Sequence, residues 1–207
     1  MKHLKILIVL ALLPHPAFAI DFGCTYSLDP HSVKIGWTAF KTTEKTGVHG
    51  TIKDTNIQTS RKPTKTLAMM LSDTVGQGQI NNANKSESGN PTRDETLFQK
   101  FFRLVRSYAE YEGHFDSVKG DDHAGTMNLK LKLNGKVNEV PMTYKMGAEG
   151  WFEANGTFDM TQFGMDAALA SLHTACEELH KGKDGVSKTW PNVELSFTGK
   201  VAKDCKK

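Results

Sequence analysis

Residues 127–146 form one continuous alternating stretch, Met127-Asn-Leu-Lys-Leu-Lys-Leu-Asn-Gly-Lys-Val-Asn-Glu-Val-Pro-Met-Thr-Tyr-Lys-Met146. Apolar and polar residues alternate on both sides of the dipeptide Asn134-Gly135. Such alternation is typical of a half-buried β-strand, because successive side chains of a strand point to opposite faces. Asn-Gly between two alternating runs predicts a type I′ turn, in which both central residues have positive φ. The stretch therefore predicts an antiparallel hairpin with one apolar face.

The same alternation recurs along most of the chain. It appears around residues 33–39, 109–115, 152–158 and 193–201, and a turn at 44–47 leads into a further strand near 48–57. Strands of this kind place one face against the core and the other in water, as in antiparallel sheets. Roughly eight such strands joined by short turns predict a mainly β domain, either an up-and-down barrel or a sandwich.

Two segments have the spacing of amphipathic helices. Residues 94–103 predict a short helix with acidic residues in its first turn, and residues 161–181 predict a longer one. Residues 60–93 show no clear pattern. Within them, residues 66–72 are compatible with a helical turn, and residues 77–88 are so polar that we expect a loop or an edge strand.

The amino terminus has the features of a secretory signal peptide. Lys2 and Lys5 precede an apolar run at residues 6–13, and Ala17-Phe18-Ala19 provides the small residues of a cleavage site. We therefore expect a signal peptide at 1–19, a mature domain at 20–207 and a periplasmic or secreted location. The apolar run is too short to span a bilayer. No second run approaches that length, so we expect a mature protein that does not span the membrane.

The charge balance and the motifs exclude several classes of function. Removing Lys2 and Lys5 from the 26 basic residues leaves 24 against 23 Asp and Glu, which is a net charge of +1. This balance does not favour nucleic acid binding, which requires a basic surface. The chain contains no Gly-x-Ser-x-Gly, His-Glu-x-x-His or phosphate-binding loop motif. We therefore expect a protein that is not an enzyme and has no catalytic residues and no cofactor.

Motifs spread over the predicted mature chain resemble those of the YceI-like family of exported bacterial proteins. The resemblance includes the start of the first strand and the end of the last helix, and the motifs follow the family's order: Tyr26-Ser-Leu-Asp-Pro-His-Ser-Val33, Trp37-Thr-Ala-Phe-Lys41, Asn90-Pro-Thr-Arg-Asp94, Phe152-Glu-Ala-Asn-Gly156, Cys176-Glu-Glu-Leu-His180 and Lys188-Thr-Trp-Pro-Asn-Val193. The resemblance implies a mainly β, eight-stranded antiparallel lipocalin-like barrel with one short and one longer α-helix.

The same resemblance implies a carrier or binding protein that holds a long apolar chain inside the barrel. The family's ligand classes are polyisoprenoids, isoprenoid quinones and fatty acids or amides. The inward-facing residues predicted to line such a pocket are Val33, Ile35, Trp37, Tyr111, Phe115, Leu129, Leu131, Met142, Tyr144, Phe152, Phe158, Leu195 and Phe197. The alternative is that these side chains fill the barrel completely and leave no cavity.

The three cysteines predict one disulfide and one free thiol in an oxidising compartment. Cys24 precedes the first predicted strand and Cys205 follows the last, so these two ends meet if the strands pair antiparallel. Cys176, on the predicted late helix, is the competing partner. The resemblance to the family favours Cys24–Cys176, and that pairing is our prediction, with Cys24–Cys205 as the alternative.

Two further groups of residues suggest binding chemistry. His173, Cys176 and His180 would share one face of the predicted late helix, and these are ligands for a soft metal or haem. They define the alternative function, a metal- or haem-handling envelope protein. Lys41 and Lys45, near the first turn, are expected either to meet a ligand headgroup or to form a solvated charged edge.

Overall fold

The structure is a computed structural model that describes residues 23–206. Its ten strands form one sheet in the order β3-β4-β6-β7-β8-β9-β10-β1-β2-β5. The strands are β1 Cys24–Lys41, β2 Thr46–Ile52, β3 Asn56–Gln58, β4 Val75–Gly78, β5 Ser86–Glu87, β6 Tyr111–Gly120, β7 Ala124–Leu133, β8 Lys136–Met146, β9 Trp151–Asp159 and β10 Thr189–Cys205. Every neighbouring pair is antiparallel, and the sheet curls into a half-barrel. The mainly β prediction is confirmed, with ten strands in place of the expected eight.

The hairpin predicted from residues 127–146 is formed by β7 and β8. Leu133 pairs with Lys136 across the turn. The two turn residues have positive φ, 53° at Asn134 and 76° at Gly135. These are the signs that a type I′ turn requires, and they match the right-handed twist of the flanking strands.

The first and last strands, β1 and β10, pair along almost their whole length. Their ladder runs from Cys24 opposite Cys205 at one end to Lys41 opposite Thr189 at the other. We call these the cysteine end and the polar end. Cys24 and Cys205 form a disulfide, and Cys176 is a buried free thiol. The expectation of one disulfide and one thiol is confirmed. The predicted Cys24–Cys176 pairing is wrong, because Cys176 lies at the polar end of β1.

Short polar strands form the edges of the sheet. β3 and β4 pair with each other on one side, and β5 pairs with Thr51 and Ile52 on the other. The outermost strands, β3 and β5, do not pair with each other, which makes this a half-barrel and not a closed one. β4 and β5, which lie within residues 60–93, have four and two residues, too few for alternation to be visible there.

Three α-helices lie beside the sheet: α1 Leu67–Ser72, α2 Pro91–Lys100 and α3 Asp166–Ala175. α2 begins three residues earlier than predicted because the Asn90 side chain accepts a hydrogen bond from the backbone N–H of Arg93 (3.1 Å). The long helix predicted at 161–181 is wrong. Gly164, with a φ of 68°, ends a short 3-10 turn before α3, and a second 3-10 turn follows at Glu178–His180.

The predicted signal peptide at residues 1–19 lies outside the described residues. Among residues 23–206, none of the helices combines the length and the apolar composition that crossing a bilayer requires.

Candidate functional site

A cavity of about 480 Å³ occupies the hollow between the concave face of the sheet and the helices α2 and α3. This volume falls within the roughly 300–1,000 Å³ range of small-molecule sites. The walls are formed mainly by aliphatic and aromatic side chains from β1, β2, β6, β7, β9 and β10. No Asp or Glu of residues 23–206 lines it. The site is therefore an apolar container that carries no negative charge in its wall.

The alternation of β1 and β10 places their odd-numbered residues on the concave face. Trp37 and Leu195 face each other across the ladder, and Phe197 is two residues further along β10. All three line the cavity and remain only partly buried, although they lie on central strands. Large apolar side chains in such positions are normally packed on all sides. Their residual exposure shows that the half-barrel is hollow here.

The Trp37 indole is held in place by one hydrogen bond and one close backbone approach. Its Nε1–H donates to the Ser86 hydroxyl (3.1 Å), and Ser86 lies on the edge strand β5. A Cβ at Gly50, on the neighbouring strand, would lie 2.3 Å from the indole Cζ2 atom. Glycine at position 50 therefore makes the space that the ring occupies, and the tryptophan connects the cavity wall to the edge of the sheet.

An aromatic cluster of Phe115, Phe152 and Phe197 forms one part of the cavity wall. The Phe115 ring packs edge-to-face on Phe197 at 5.4 Å between centroids and on Phe152 at 6.3 Å. Edge-to-face contacts of this kind are favourable beyond the area they bury. Tyr144 packs against Phe152 on the far side from the cavity. The half-barrel is thus filled in one part and hollow in the other. The sequence left open a lined pocket or a completely filled barrel, and the structure combines the two.

Polar contacts seal the cysteine end. Asp122 accepts hydrogen bonds from the Tyr26 hydroxyl and from the Lys203 ammonium group (2.7 Å). Those two bonds, Lys203 first, hold the pKa of the Asp122 carboxyl below its ordinary value. The Tyr144 hydroxyl donates to the backbone oxygen of Asp121 (2.8 Å). Together with the disulfide, these bonds join the two termini of the domain to the loop between β6 and β7.

The cavity reaches solvent at the helices. Of the residues in 23–206 that line it, the exposed ones are Asn90, Thr92 and Arg93 at the start of α2, and Leu179 in the turn after α3. Leu179 has 71% of its surface exposed, which is high for a leucine beside an apolar cavity. The opening therefore lies between α2 and the segment that follows α3.

The polar end of the cavity wall contains Lys41, His180 and Thr189, and His173 contacts Thr189 from outside the lining. Lys41 and Thr189, paired across β1 and β10, both line the cavity. The Thr189 hydroxyl lies 2.7 Å from Nδ1 of His180 and 3.0 Å from Nδ1 of His173. Burial, together with the nearby Lys41 and His173, lowers the pKa of His180, so that its imidazole is neutral at pH 7. Burial raises the pKa of the neighbouring Cys176 thiol.

The metal site proposed for His173, Cys176 and His180 does not form. The helix ends at Ala175, so the three residues do not share one helical face, and both imidazoles bind the same threonine hydroxyl. Across residues 23–206, no three His, Cys, Asp or Glu side chains are placed to hold a metal ion. His180 and Cys176 line the cavity instead.

The predicted pocket residues divide into two groups. The cavity is lined by Val33, Ile35, Trp37, Tyr111, Phe115, Leu129, Leu131, Phe152, Phe158, Leu195 and Phe197. Met142 and Tyr144 are buried outside it, on the same face but beyond the aromatic cluster. Sequence reasoning missed the lining from α2 and α3, such as Leu97, Leu169 and Leu172, because strand alternation carries no information about which helices cover the sheet. Whether these residues contact a ligand remains a prediction.

The curled antiparallel sheet and the apolar cavity place the protein in the class of half-barrels with a hollow apolar interior. Within that class, residues 26–200 match the model of the YceI-like domain, and the chain belongs to this family.

The solved structures that resemble the chain include the following two. A polyisoprenoid binding domain from Saccharophagus degradans, implicated in plant cell wall breakdown, aligns with a TM-score of 0.55 and 13% identity over 87% of this chain and 98% of that domain. The YceI protein of Campylobacter jejuni aligns with a TM-score of 0.47 and 18% identity over 78% of this chain and 87% of that protein. At such identity the first alignment supports the shared fold. No curated protein matches the chain.

Proposed function

We propose that this protein is an exported carrier or sequestering protein that holds one long apolar chain, isoprenoid or fatty, inside the half-barrel. The observation that carries the proposal is the apolar cavity of about 480 Å³ with an opening at the helices. Family membership and the fold shared with a polyisoprenoid binding domain support it. The signal peptide predicted at 1–19 supports export. Burying apolar surface contributes roughly 25 cal/mol per Å² before association costs, so a long chain needs no covalent chemistry to be retained.

Ligand binding can be tested directly on the purified protein. Organic extraction followed by mass spectrometry should recover long-chain lipid in a fixed molar ratio to protein. Adding geranylgeraniol to delipidated protein should raise the melting temperature. At a ligand concentration of 100 times Kd, the stabilisation is about 2.7 kcal/mol, or roughly 5–10 °C for a domain of this size.

A pair of tryptophan substitutions locates the binding site. Ala39 lies on the concave face and lines the cavity, whereas Glu194 is exposed on the outer face of β10, opposite Thr38. Ala39→Trp should fill the cavity and lower the lipid recovered per mole, and Glu194→Trp should leave it unchanged. Circular dichroism shows whether both variants keep the β-fold. Wild-type protein that carries no lipid and gains no stability from added lipid would contradict the proposal.

A further inference from the structure

One cation on the cavity wall has no carboxylate partner. The inward face of β1 is apolar at Val33, Ile35, Trp37 and Ala39, and the next residue on that face is Lys41. Within residues 23–206, Lys41 forms no ion pair, and its ammonium group donates one hydrogen bond, to the backbone oxygen of Leu179 (3.1 Å). An ammonium group has three donors. Two therefore remain for another acceptor.

The imidazole of His180 lies beside this lysine with one nitrogen unused. Its Nδ1 is engaged by the Thr189 hydroxyl, and its Nε2 makes no hydrogen bond to any residue in 23–206. When the Thr189 hydroxyl donates to Nδ1, the proton of the neutral ring is on Nε2, which is then a donor. At this end, the wall of the cavity thus changes from apolar side chains to a lysine and an imidazole with unused donors.

The other lysine or arginine in the lining contributed by residues 23–206, Arg93, also forms no ion pair, but it is exposed at the opening, whereas Lys41 is half-buried on the wall. The Arg93 guanidinium donates to the Ser88 hydroxyl (3.3 Å). That hydroxyl donates in turn to Asp94 (2.5 Å), whose carboxylate also accepts from the backbone N–H of Ser88. Lys45, four residues after Lys41, lies outside the cavity lining, with its ammonium group 4.5 Å from the Trp190 ring centroid. Lys41 is therefore the cation placed to meet the end of a ligand chain.

We propose that the ligand is an anionic amphiphile whose carboxylate or phosphate headgroup binds Lys41 and His180, with its chain lying along the inner face of β1 and β10. This inference rests on the proposed lipid-binding function and names the ligand class. The absence of Asp and Glu from the lining of residues 23–206 agrees with an anionic ligand, because a carboxylate in the wall would repel it. A neutral alcohol of the same chain fills the same apolar space but gains no charge-assisted hydrogen bond.

Matched ligand pairs separate the headgroup from the chain. The probes are oleate with oleyl alcohol, and geranylgeranyl phosphate with geranylgeraniol, titrated into delipidated full-length protein. The wild type should bind each anion roughly tenfold or more tightly than its alcohol, since a charged hydrogen bond is lost with the alcohol. In Lys41→Met, the affinity for each anion should fall to that for its alcohol, because the methionine keeps an apolar stem but has no ammonium group. Lys45→Met is the control and should retain the preference.

Each outcome has a distinct meaning. Preference for only one of the two anions supports the inference and identifies the source as carboxylate or phosphate. Equal binding of anions and alcohols overturns the anionic headgroup, and a preference for anions that survives in Lys41→Met overturns Lys41 as the residue that binds it. Both outcomes leave the carrier function intact. Failure of all four probes to bind overturns the proposed function, and with it this inference. Circular dichroism shows whether Lys41→Met keeps the β-fold.

Discussion

The disulfide at the cysteine end should provide a large part of the stability of this domain. Cys24 and Cys205 are separated by 181 residues, so the bond closes almost the whole domain into a loop. In the chain-entropy model, a loop of this length raises the free energy of the unfolded state by about 5 kcal/mol at 25 °C. Residual structure in the unfolded chain reduces that value, and we expect a loss of about 3–5 kcal/mol on removal.

The assay is urea unfolding of the wild type and of the double variant Cys24→Ser/Cys205→Ser, followed by circular dichroism. With a urea m-value of about 2 kcal/mol/M, the expected loss moves the midpoint down by roughly 1.5–2.5 M. Cys176→Ala is the control: a reductant should lower its midpoint as much as that of the wild type, and should not affect the double variant. A shift below about 0.5 M would refute the entropic argument. Insensitivity of Cys176→Ala to reductant would refute the pairing.

Two more predictions concern the cavity thiol and the sealed end. Cys176 is buried in the cavity wall, and burial raises the pKa of its thiol. Alkylation of the native protein at pH 7, measured by mass spectrometry, should therefore be slow and should become slower when lipid is bound. Equal alkylation rates with and without lipid would show that the ligand binds elsewhere. Folding lowers the pKa of the Asp122 carboxyl, so its bonds to Lys203 and Tyr26 stabilise the folded protein at pH values above the ordinary carboxyl pKa of about 4. This stabilisation is lost as the pH falls through the lowered pKa of Asp122 in the folded state. Asp122→Asn should therefore lower the urea midpoint more at pH 7 than at pH 2. The effect should be modest because Asp122 is partly exposed, and an equal deficit at both pH values would show that its charge is not involved.

Much of the sheet could be predicted from the sequence because its signals are local. Alternation identified which face of β1, β7, β8, β9 and β10 is inward, and Asn134-Gly135 located the β7–β8 turn. Helical spacing gave the wrong length for the late helix, because apolar residues recur at that spacing as far as Leu179 although α3 ends at Ala175. The strand predicted near 48–57 is divided into β2 and β3, and the predicted loop or edge strand at 77–88 contains the edge strand β5. The bounds of β3 and β5 could not be predicted, because their three and two residues are defined by their pairing partners and not by their own pattern.

The candidate site was predictable in direction but not in extent. Alternation correctly placed Met142 and Tyr144 on the inner face, yet their exclusion from the cavity depends on the packing of Phe115 and Phe152, which joins distant parts of the chain. The inward direction of Lys41 could have been predicted, since it follows Val33, Ile35, Trp37 and Ala39 in the odd-numbered inward series of β1. The choice between the two possible disulfides depended on whether the first and last strands pair, and the β1–β10 ladder of the structure shows that they do.

The position of the two cysteines has a consequence for how this domain can be joined to others. The Cα atoms of Cys24 and Cys205 are 4.0 Å apart, at the opposite end of the β1–β10 ladder from Lys41 and Thr189. Adjacent termini of this kind tolerate circular permutation and insertion into a host protein. A fusion partner attached at either terminus would project away from the cavity opening. The domain is therefore suited to use as a module inserted into another protein, with the opening of its cavity facing away from that protein.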